Sequence, residues 1–464
     1  MSTVAISLVL TAEPFPKFVN IVPSFVRRRI AHRPNLVKII DNIGWLFFDK
    51  VLRMGLGLLV GVWIARYLGP EKFGLLSFAT ALVGLFGPIA GLGLQSVVVR
   101  DIVRDPSKKE ETLGTAALMQ FIGGLLAYGL ILGTIFWMRP DEALTKALVA
   151  ILGAMLILKA SEIAVYWFES QVLSKYIVWV QNGNFLIFAL IKITLILTNA
   201  PLITFAWATM VEALSAALFL LVMLNMQGPR LLQLRVSLER AQNLYADSWP
   251  LLLSGVAIVI YMKIDQLMLG EMVGNDAVGI YSAALRISEA WYFIPMIIAS
   301  SVFPSILEAK KRSDLEYRQR LQHLFDLMTW LSIIVAFPMT FLATSFVSIL
   351  YGNIYVESGI VLAIHIWTSL FVFFGVASSN WFLIENLQKL VLIRAVLGAA
   401  INMGLNFLLI PHFYTIGAAV ATLITAIFVN LIIDIGDSKT RGLFYMKLKS
   451  LNLLRIFSFY GSRI

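Results

Sequence analysis

Long stretches of this chain run without a charged side chain, among them Phe73 to Val99, Leu113 to Met138, Leu327 to Val356 and Ser358 to Ile384. Each exceeds the roughly 20 residues that an α-helix needs to cross the hydrocarbon core of a bilayer. In that medium every backbone N–H and C=O must find a partner within the protein, which a helix provides by itself. A membrane β-barrel would instead alternate apolar and polar residues in segments of about ten. The reading is an all-α integral membrane protein. The composition agrees, with 59% hydrophobic and 14% charged among 464 residues, against about 25% charged in soluble domains.

Charges and turn residues divide the chain into about twelve spans, near 44–67, 73–98, 113–138, 145–169, 176–197, 202–226, 247–270, 277–306, 325–350, 357–384, 390–410 and 413–436. The narrowest separations are Thr198-Asn199-Ala200-Pro201 and Pro411-His412-Phe413, each using a proline to stop a helix. Most of the 37 lysines and arginines then fall on one side, including Arg27, Arg28, Arg29, Arg100, Arg104, Lys108, Lys109, Lys310, Lys311 and Arg312. The other side holds Arg66, Lys72, Arg139 and Lys146. The positive-inside rule places the basic side, and with it both termini, in the cytoplasm of a cell membrane. A net charge of +10 thus needs no nucleic acid partner; basic loops facing an anionic leaflet account for it.

The segment Leu68-Gly69-Pro70-Glu71-Lys72-Phe73-Gly74 through Ala79 joins two spans, and Val273-Gly274-Asn275-Asp276-Ala277-Val278-Gly279 through Ala284 joins two more. At a shift of 205 positions Gly69 meets Gly274, Gly74 meets Gly279, Ser77 meets Ser282 and Ala79 meets Ala284 without a gap. Glycine tolerates the backbone angles of a tight turn. Finding the turn twice indicates a duplicated chain. Six spans per half make the halves parallel repeats, related by a pseudo-two-fold along the membrane normal, with a substrate site between them. The expected organisation is a basic cytoplasmic segment 1–43, a first six-helix bundle 44–226, a cytoplasmic linker 227–246, a second six-helix bundle 247–436, and a basic cytoplasmic tail 437–464. Gly87-Pro88, and Pro295 with Pro304, fall in corresponding helices of the two halves, where kinks would shape a cavity wall.

Ionisable residues at bilayer depth cost about 2.5–3.5 kcal/mol each on insertion scales, so they persist for a role or with a partner. The spans hold Lys50, Arg53, Lys159, Lys192, Lys263 and Arg286, with Asp49, Glu162, Glu212, Asp265 and Glu289. Asp49 and Arg53, Lys159 and Glu162, and Arg286 and Glu289 are spaced to share a helix face and neutralise each other. Lys192 has no carboxylate within four residues, and Lys263 and Asp265 point to different faces. The competing reading is a water-filled cleft whose basic walls attract an anion such as a phosphate. Cysteine is absent and the four histidines lie far apart, so no metal site or cofactor is expected. No Gly-x-x-x-x-Gly-Lys-Ser/Thr loop is present, which argues against ATP as the energy source.

From Asn42-Ile43-Gly44-Trp45 through Arg66-Tyr67-Leu68-Gly69-Pro70-Glu71-Lys72-Phe73-Gly74, then Gly91-Leu92-Gly93-Leu94 and Val99-Arg100-Asp101, the chain resembles the Wzx-type polysaccharide flippases. Ser248-Trp249-Pro250, Asp265, Val278-Gly279-Ile280-Tyr281-Ser282-Ala283-Ala284 and Phe303-Pro304 continue the likeness in the second half. The resemblance implies the two-bundle fold of the multidrug/oligosaccharidyl-lipid/polysaccharide exporter superfamily. It implies an activity that turns a polyprenyl-pyrophosphate-linked oligosaccharide from the cytoplasmic to the outer leaflet. The first, second, seventh and eighth helices, which line the cavity in that superfamily, carry Arg53, Lys263 and Arg286 here, with Lys159 ranked after them. Asp265, Glu162 and Glu289 are the candidate carriers of a coupling proton or sodium ion. The partners that follow are a lipid-linked anionic oligosaccharide, membrane lipid and the polysaccharide polymerase machinery. Two alternatives stand beside this: an ion-coupled exporter of small organic cations, which would want unpaired carboxylates, and a membrane glycosyltransferase or polymerase. The second lacks an Asp-x-Asp pair beside a sizeable soluble domain, so no enzyme is expected.

Overall fold

The structure, a computed structural model, describes residues 34–452 apart from Asn386. Most of the expected basic segment 1–43, with Arg27, Arg28 and Arg29, and the end of the tail, 453–464, lie outside the described residues. The first half comprises α1 (Pro34–Gly91), α2 (Leu94–Arg104), α3 (Lys109–Met138), α4 (Ala143–Gly153), a 3₁₀ stretch (Ala154–Glu162), α5 (Ile163–Ser170), α6 (Ser174–Leu197) and α7 (Leu202–Gln227). The second comprises α8 (Leu238–Met272), α9 (Asn275–Glu289), α10 (Phe293–Arg312), α11 (Asp314–Tyr351), α12 (Glu357–His365), α13 (Thr368–Ile384) and α14 (Gln388–Asn430). A short helix, α15 (Arg441–Leu451), follows.

Among the described residues, ten stretches are long and apolar enough to cross a membrane. Gly44–Arg104 and Lys389–Ile435, with 61 and 47 residues, are too long for a single crossing; a straight helix of that length would reach about 90 and 70 Å against a core of about 30 Å. Each contains a break. In α1 it falls at Gly69 (φ 73°, ψ 168°). In α14 it falls at Tyr414 (φ 51°, ψ −127°), just past Pro411-His412-Phe413. The gap between α6 and α7 spans Thr198 to Pro201, where Asn199 takes a positive φ of 54°. Gly274, the repeat mate of Gly69, also has a positive φ (124°) with ψ extended at 174°. The duplicated turn is thus a duplicated backbone conformation.

The two turns pack against each other. A Cβ on Gly74 would lie 1.7 Å from the Asn275 carbonyl oxygen, and one on Gly279 would lie 2.0 Å from the Pro70 carbonyl oxygen. Positions 70 and 275 are themselves repeat mates, so the contact is reciprocal about the pseudo-two-fold. Arg139, at the end of α3, fastens the same end of the molecule. It donates to Glu271 (2.7 Å), Asn275 (2.9 Å) and the Gly270 carbonyl (2.9 Å), and lies 4.0 Å from the Phe78 ring centroid. Tyr355 of the second half donates to the Ala65 carbonyl of the first at 2.8 Å.

Apolar packing divides along the same line. At this turn end one core is shared by both halves, joining Val62, Phe73 and Phe78 to Tyr281, Tyr351 and Ile366. At the opposite, basic end there are two separate cores. Leu94, Val98, Ile163 and Leu224 belong to one, and Tyr317, Phe325, Phe374 and Leu443 to the other. Among the described residues, packed contact across the basic end lies on one side. There Gly93 abuts the backbone of Ser248 and Leu252, and Arg100 pairs with Asp247 at 2.5 Å and Arg240 with Asp101 at 2.9 Å. On the other side, among the described residues, α10 packs on α11 and α13 and has no packed interface with the first half.

The chain after α14 is pinned in place. Asp434, fully buried, takes Arg394 at 2.6 Å and Lys447 of α15 at 2.7 Å. Burial pushes the Lys447 ammonium below its ordinary lysine value, with Asp434 opposing that.

Gly74→Ala drives a methyl into the Asn275 carbonyl, and overpacking of this kind costs about 1–3 kcal/mol. The expected outcome is a longer distance between spin labels at positions 71 and 276 than in the parent; an unchanged distance would mean that the turns can repack around the methyl.

Candidate functional site

A cavity of about 320 Å³ lies between the halves, beneath the sealed turns. Its walls come from α1, α6, α7, α8 and α9, with one residue, Leu152, from α4. Three pairs of repeat mates face it, Gly61 with Gln266, Ser77 with Ser282, and Thr80 with Leu285, so the pseudo-two-fold passes through the space. The charged side chains on its wall are Lys192, Lys263, Arg286 and Glu289. Three cations face one anion.

Lys263 lies 3.6 Å from Glu289, bridging α8 and α9. Lys192 of α6 donates to Glu212 of α7 at 2.6 Å. Arg286 is different. It sits deep among the helices yet is exposed, as a cavity wall is, and no carboxylate stands within ion-pair distance of it among the described residues. Its guanidinium carbon lies 4.8 Å from the Phe73 ring centroid.

Of the residues singled out from sequence, Lys263 and Arg286 share this cavity, whereas Arg53 and Lys159 are not on its lining. Arg53 is held by Asp49, one turn earlier, at 2.5 Å. Lys159, in the 3₁₀ stretch, is held by Glu162 at 2.7 Å, and Glu162 also accepts from Tyr166, which accepts from Gln120. In both cases a carboxylate on the same helix face captured the cation. The third spacing of that kind, Arg286 with Glu289, does not pair: Glu289 turns to Lys263 instead. Lys192 and Lys263, which lack a partner along their own helices, find one on a neighbour.

Asp265 stands off the cavity wall, 1% exposed. It accepts from the Tyr281 hydroxyl, from the Gln266 backbone N–H at 2.8 Å and from the Thr422 hydroxyl at 3.3 Å, tying α8, α9 and α14 together. Sequence reasoning did not single out the hydroxyl and amide groups of the cavity, Thr80, Thr209 and Gln266. The signal that finds part of this set is the repeat, because Ser77 and Ser282 were among its coinciding positions.

Two halves joined at one end, separated at the other and enclosing a charged cavity have the architecture of a membrane transporter. The chain matches the polysaccharide biosynthesis protein family over residues 39–310 and belongs to that family. It is similar to the probable flippase AglR of Haloferax volcanii, 24% identical over 395 residues, which cover 82% of this chain and 79% of that protein. It is also similar to the succinoglycan biosynthesis transport protein ExoT of Rhizobium meliloti, 24% identical over 333 residues, covering 69% and 64%. Among solved structures, an inward-facing multidrug resistance MATE transporter of the MOP superfamily superposes with a TM-score of 0.66 at 15% identity, covering 88% of this chain and 96% of that one. The lipid II flippase MurJ in an inward closed conformation gives 0.66 at 15% identity, with 90% and 92% covered. The fold is that of the MOP superfamily.

Glu212→Gln would strip Lys192 of its counter-ion at the cavity wall. A charge worth about 1 kcal/mol to a nearby anion corresponds to a roughly five-fold affinity change. Inorganic pyrophosphate should therefore bind the purified Glu212→Gln variant several-fold more tightly by calorimetry, with a steeper loss of affinity on adding salt.

Proposed function

We propose that this protein is a flippase that carries a polyprenyl-pyrophosphate-linked oligosaccharide from the cytoplasmic to the outer leaflet by alternating access. The observation that carries the reading is the cavity between the halves, where Lys192 and Lys263 are matched by Glu212 and Glu289 and the unpaired Arg286 leaves the wall net positive. A pyrophosphate presents the oxygens that a guanidinium and two ammonium groups bind best. The flippase and transport functions named for its relatives point the same way. An exporter of organic cations is disfavoured, because Glu289 is occupied by Lys263.

In this reading the long broken stretches cross twice each, which brings the ten to twelve, and the basic end faces the cytoplasm by the positive-inside rule. The state observed is then open inward and sealed outward. The lack of a packed interface between α10 and the first half, among the described residues, would give the sugar-bearing pyrophosphate a lateral way into the cavity while the polyprenyl chain stays in lipid. Asp265 is the carboxylate best placed to bind and release a coupling proton or sodium ion, since it links three helices that must shift together. Glu162 and Glu289 are each held by a lysine. Delivery to the polymerase machinery would follow in the outer leaflet.

The test is the appearance of a labelled lipid-linked oligosaccharide in the outer leaflet of vesicles. Arg286→Ala should insert normally and lose most of the flipping activity; wild-type rates would remove the residue from the mechanism. Two negative charges crossing 100 mV gain about 4–5 kcal/mol. An imposed potential, negative on the cytoplasmic side, should therefore accelerate flipping without ATP, and equal rates under both signs would reject the electrical contribution.

A further inference from the structure

Arg286 belongs to the second half, but the notch and the ring that hold its guanidinium, Gly61 and Phe73, belong to the first. The three atoms nearest to a Cβ built on Gly61 are all from Arg286, the closest being Nη1 at 2.0 Å. Gly61 is thus a notch in α1 into which the guanidinium is set, and Phe73, beyond the α1 break, covers it at 4.8 Å. The nearest carboxylate along its own helix, Glu289, is taken by Lys263. Gly61 precedes the turn at Gly69 by eight residues and Arg286 follows Gly279 by seven, so the seat lies about 10–12 Å below the place where the turns cross.

We propose that Arg286 in the Gly61 notch is a strut that holds the two halves together beneath the closed turns, and that a phosphate-bearing ligand opens the turn end by drawing the guanidinium out of that notch. Phe73 and the Gly61 backbone satisfy the cation weakly, through a ring face and close contact. A pyrophosphate in the cavity offers two charge-assisted hydrogen bonds in the planar fork geometry of arginine. A bidentate grip turns the fork towards the ligand, which draws Nη1 off Gly61. Gly61 is the positioning residue, acting through Arg286 without touching the ligand. The strut stands on the geometry alone; only the identity of the releasing ligand rests on the flippase reading.

The absence of cysteine makes the test direct. Ser282→Cys puts one thiol on the cavity lining below the turns, and a membrane-impermeant maleimide applied from the turn side reports whether that end is open. Labelling should be slow in this parent and several-fold faster with Gly61→Ala or with Arg286→Ala. The double variant should label no faster than Arg286→Ala alone. Gly57→Ala, also on the cavity wall but with its nearest neighbour, Phe185, at 3.8 Å, should label at the parent rate. A polyprenyl pyrophosphate in the vesicles should accelerate labelling of the parent and not of Arg286→Ala.

An unchanged rate in Gly61→Ala, or rates that add in the double variant, would overturn the strut. Faster labelling in both variants with no response of the parent to polyprenyl pyrophosphate would overturn the release step and place the fault in the ligand assignment. Should Gly61→Ala fail to insert, the double variant gives the added methyl its space back. Failure of that variant to insert as well would show that the notch serves something other than Arg286.

Discussion

The contact on which the rest of this structure depends is the approach of two backbones at Gly74 and Gly279. Each glycine lies against a carbonyl oxygen of the other half with no room for a methyl group. Because the partners are repeat mates, one contact made twice fixes the halves about their pseudo-two-fold at a single end. The shared apolar core grows outward from it, and Arg139 is added as a polar fastening. Away from that end the cores are separate, so the halves can diverge without breaking either one. The cavity is the space that this geometry leaves beneath the joint.

The charges inside the spans fall into two kinds. Asp49 with Arg53, Lys159 with Glu162 and Lys192 with Glu212 pair within one half at 2.5 to 2.7 Å. Pairing offsets the cost of holding an ion at bilayer depth, and removing one member leaves the other uncompensated. Arg286 has no such partner, and the aromatic ring and glycine notch that receive it belong to the opposite half. An unpaired cation is stabilised only while those surfaces stay together or while an anion replaces them. That makes the residue responsive to what the cavity contains, in a way the closed pairs are not.

Much of the fold was legible because membrane helices must satisfy their own hydrogen bonds, so uncharged length alone marks them. The duplicated turn was legible because a positive φ joined to an extended ψ is open essentially to glycine alone, and Gly69 and Gly274 both adopt it. The site was legible only in part. Spacing along one helix found Asp49 with Arg53 and Lys159 with Glu162, but it also implied Arg286 with Glu289, where a neighbouring helix offered each a different contact. Helix periodicity gives the direction of Cβ, and a long side chain then chooses among all the surfaces it can reach. The pairing of Lys192 with Glu212 crosses from α6 to α7, and the seat of Arg286 lies on another half of the chain. Sequence offers no direct sign of either.

Comparing the halves position by position separates mechanics from chemistry. At the shift of 205, Gly69, Gly74 and Ser77 keep their identity, and these form the joint and the cavity wall just below it. Positions lower in the cavity have diverged. Arg286 stands opposite Ala81, Lys263 opposite Leu58, Glu289 opposite Gly84 and Gln266 opposite Gly61. A joint must open and close about a common axis, which favours keeping both copies alike. A ligand that lacks two-fold symmetry is better met by unlike walls. The notch illustrates how the two requirements combine: the position that is a glutamine in one copy remains a glycine in the other, and its emptiness is what receives the arginine that only the second copy carries.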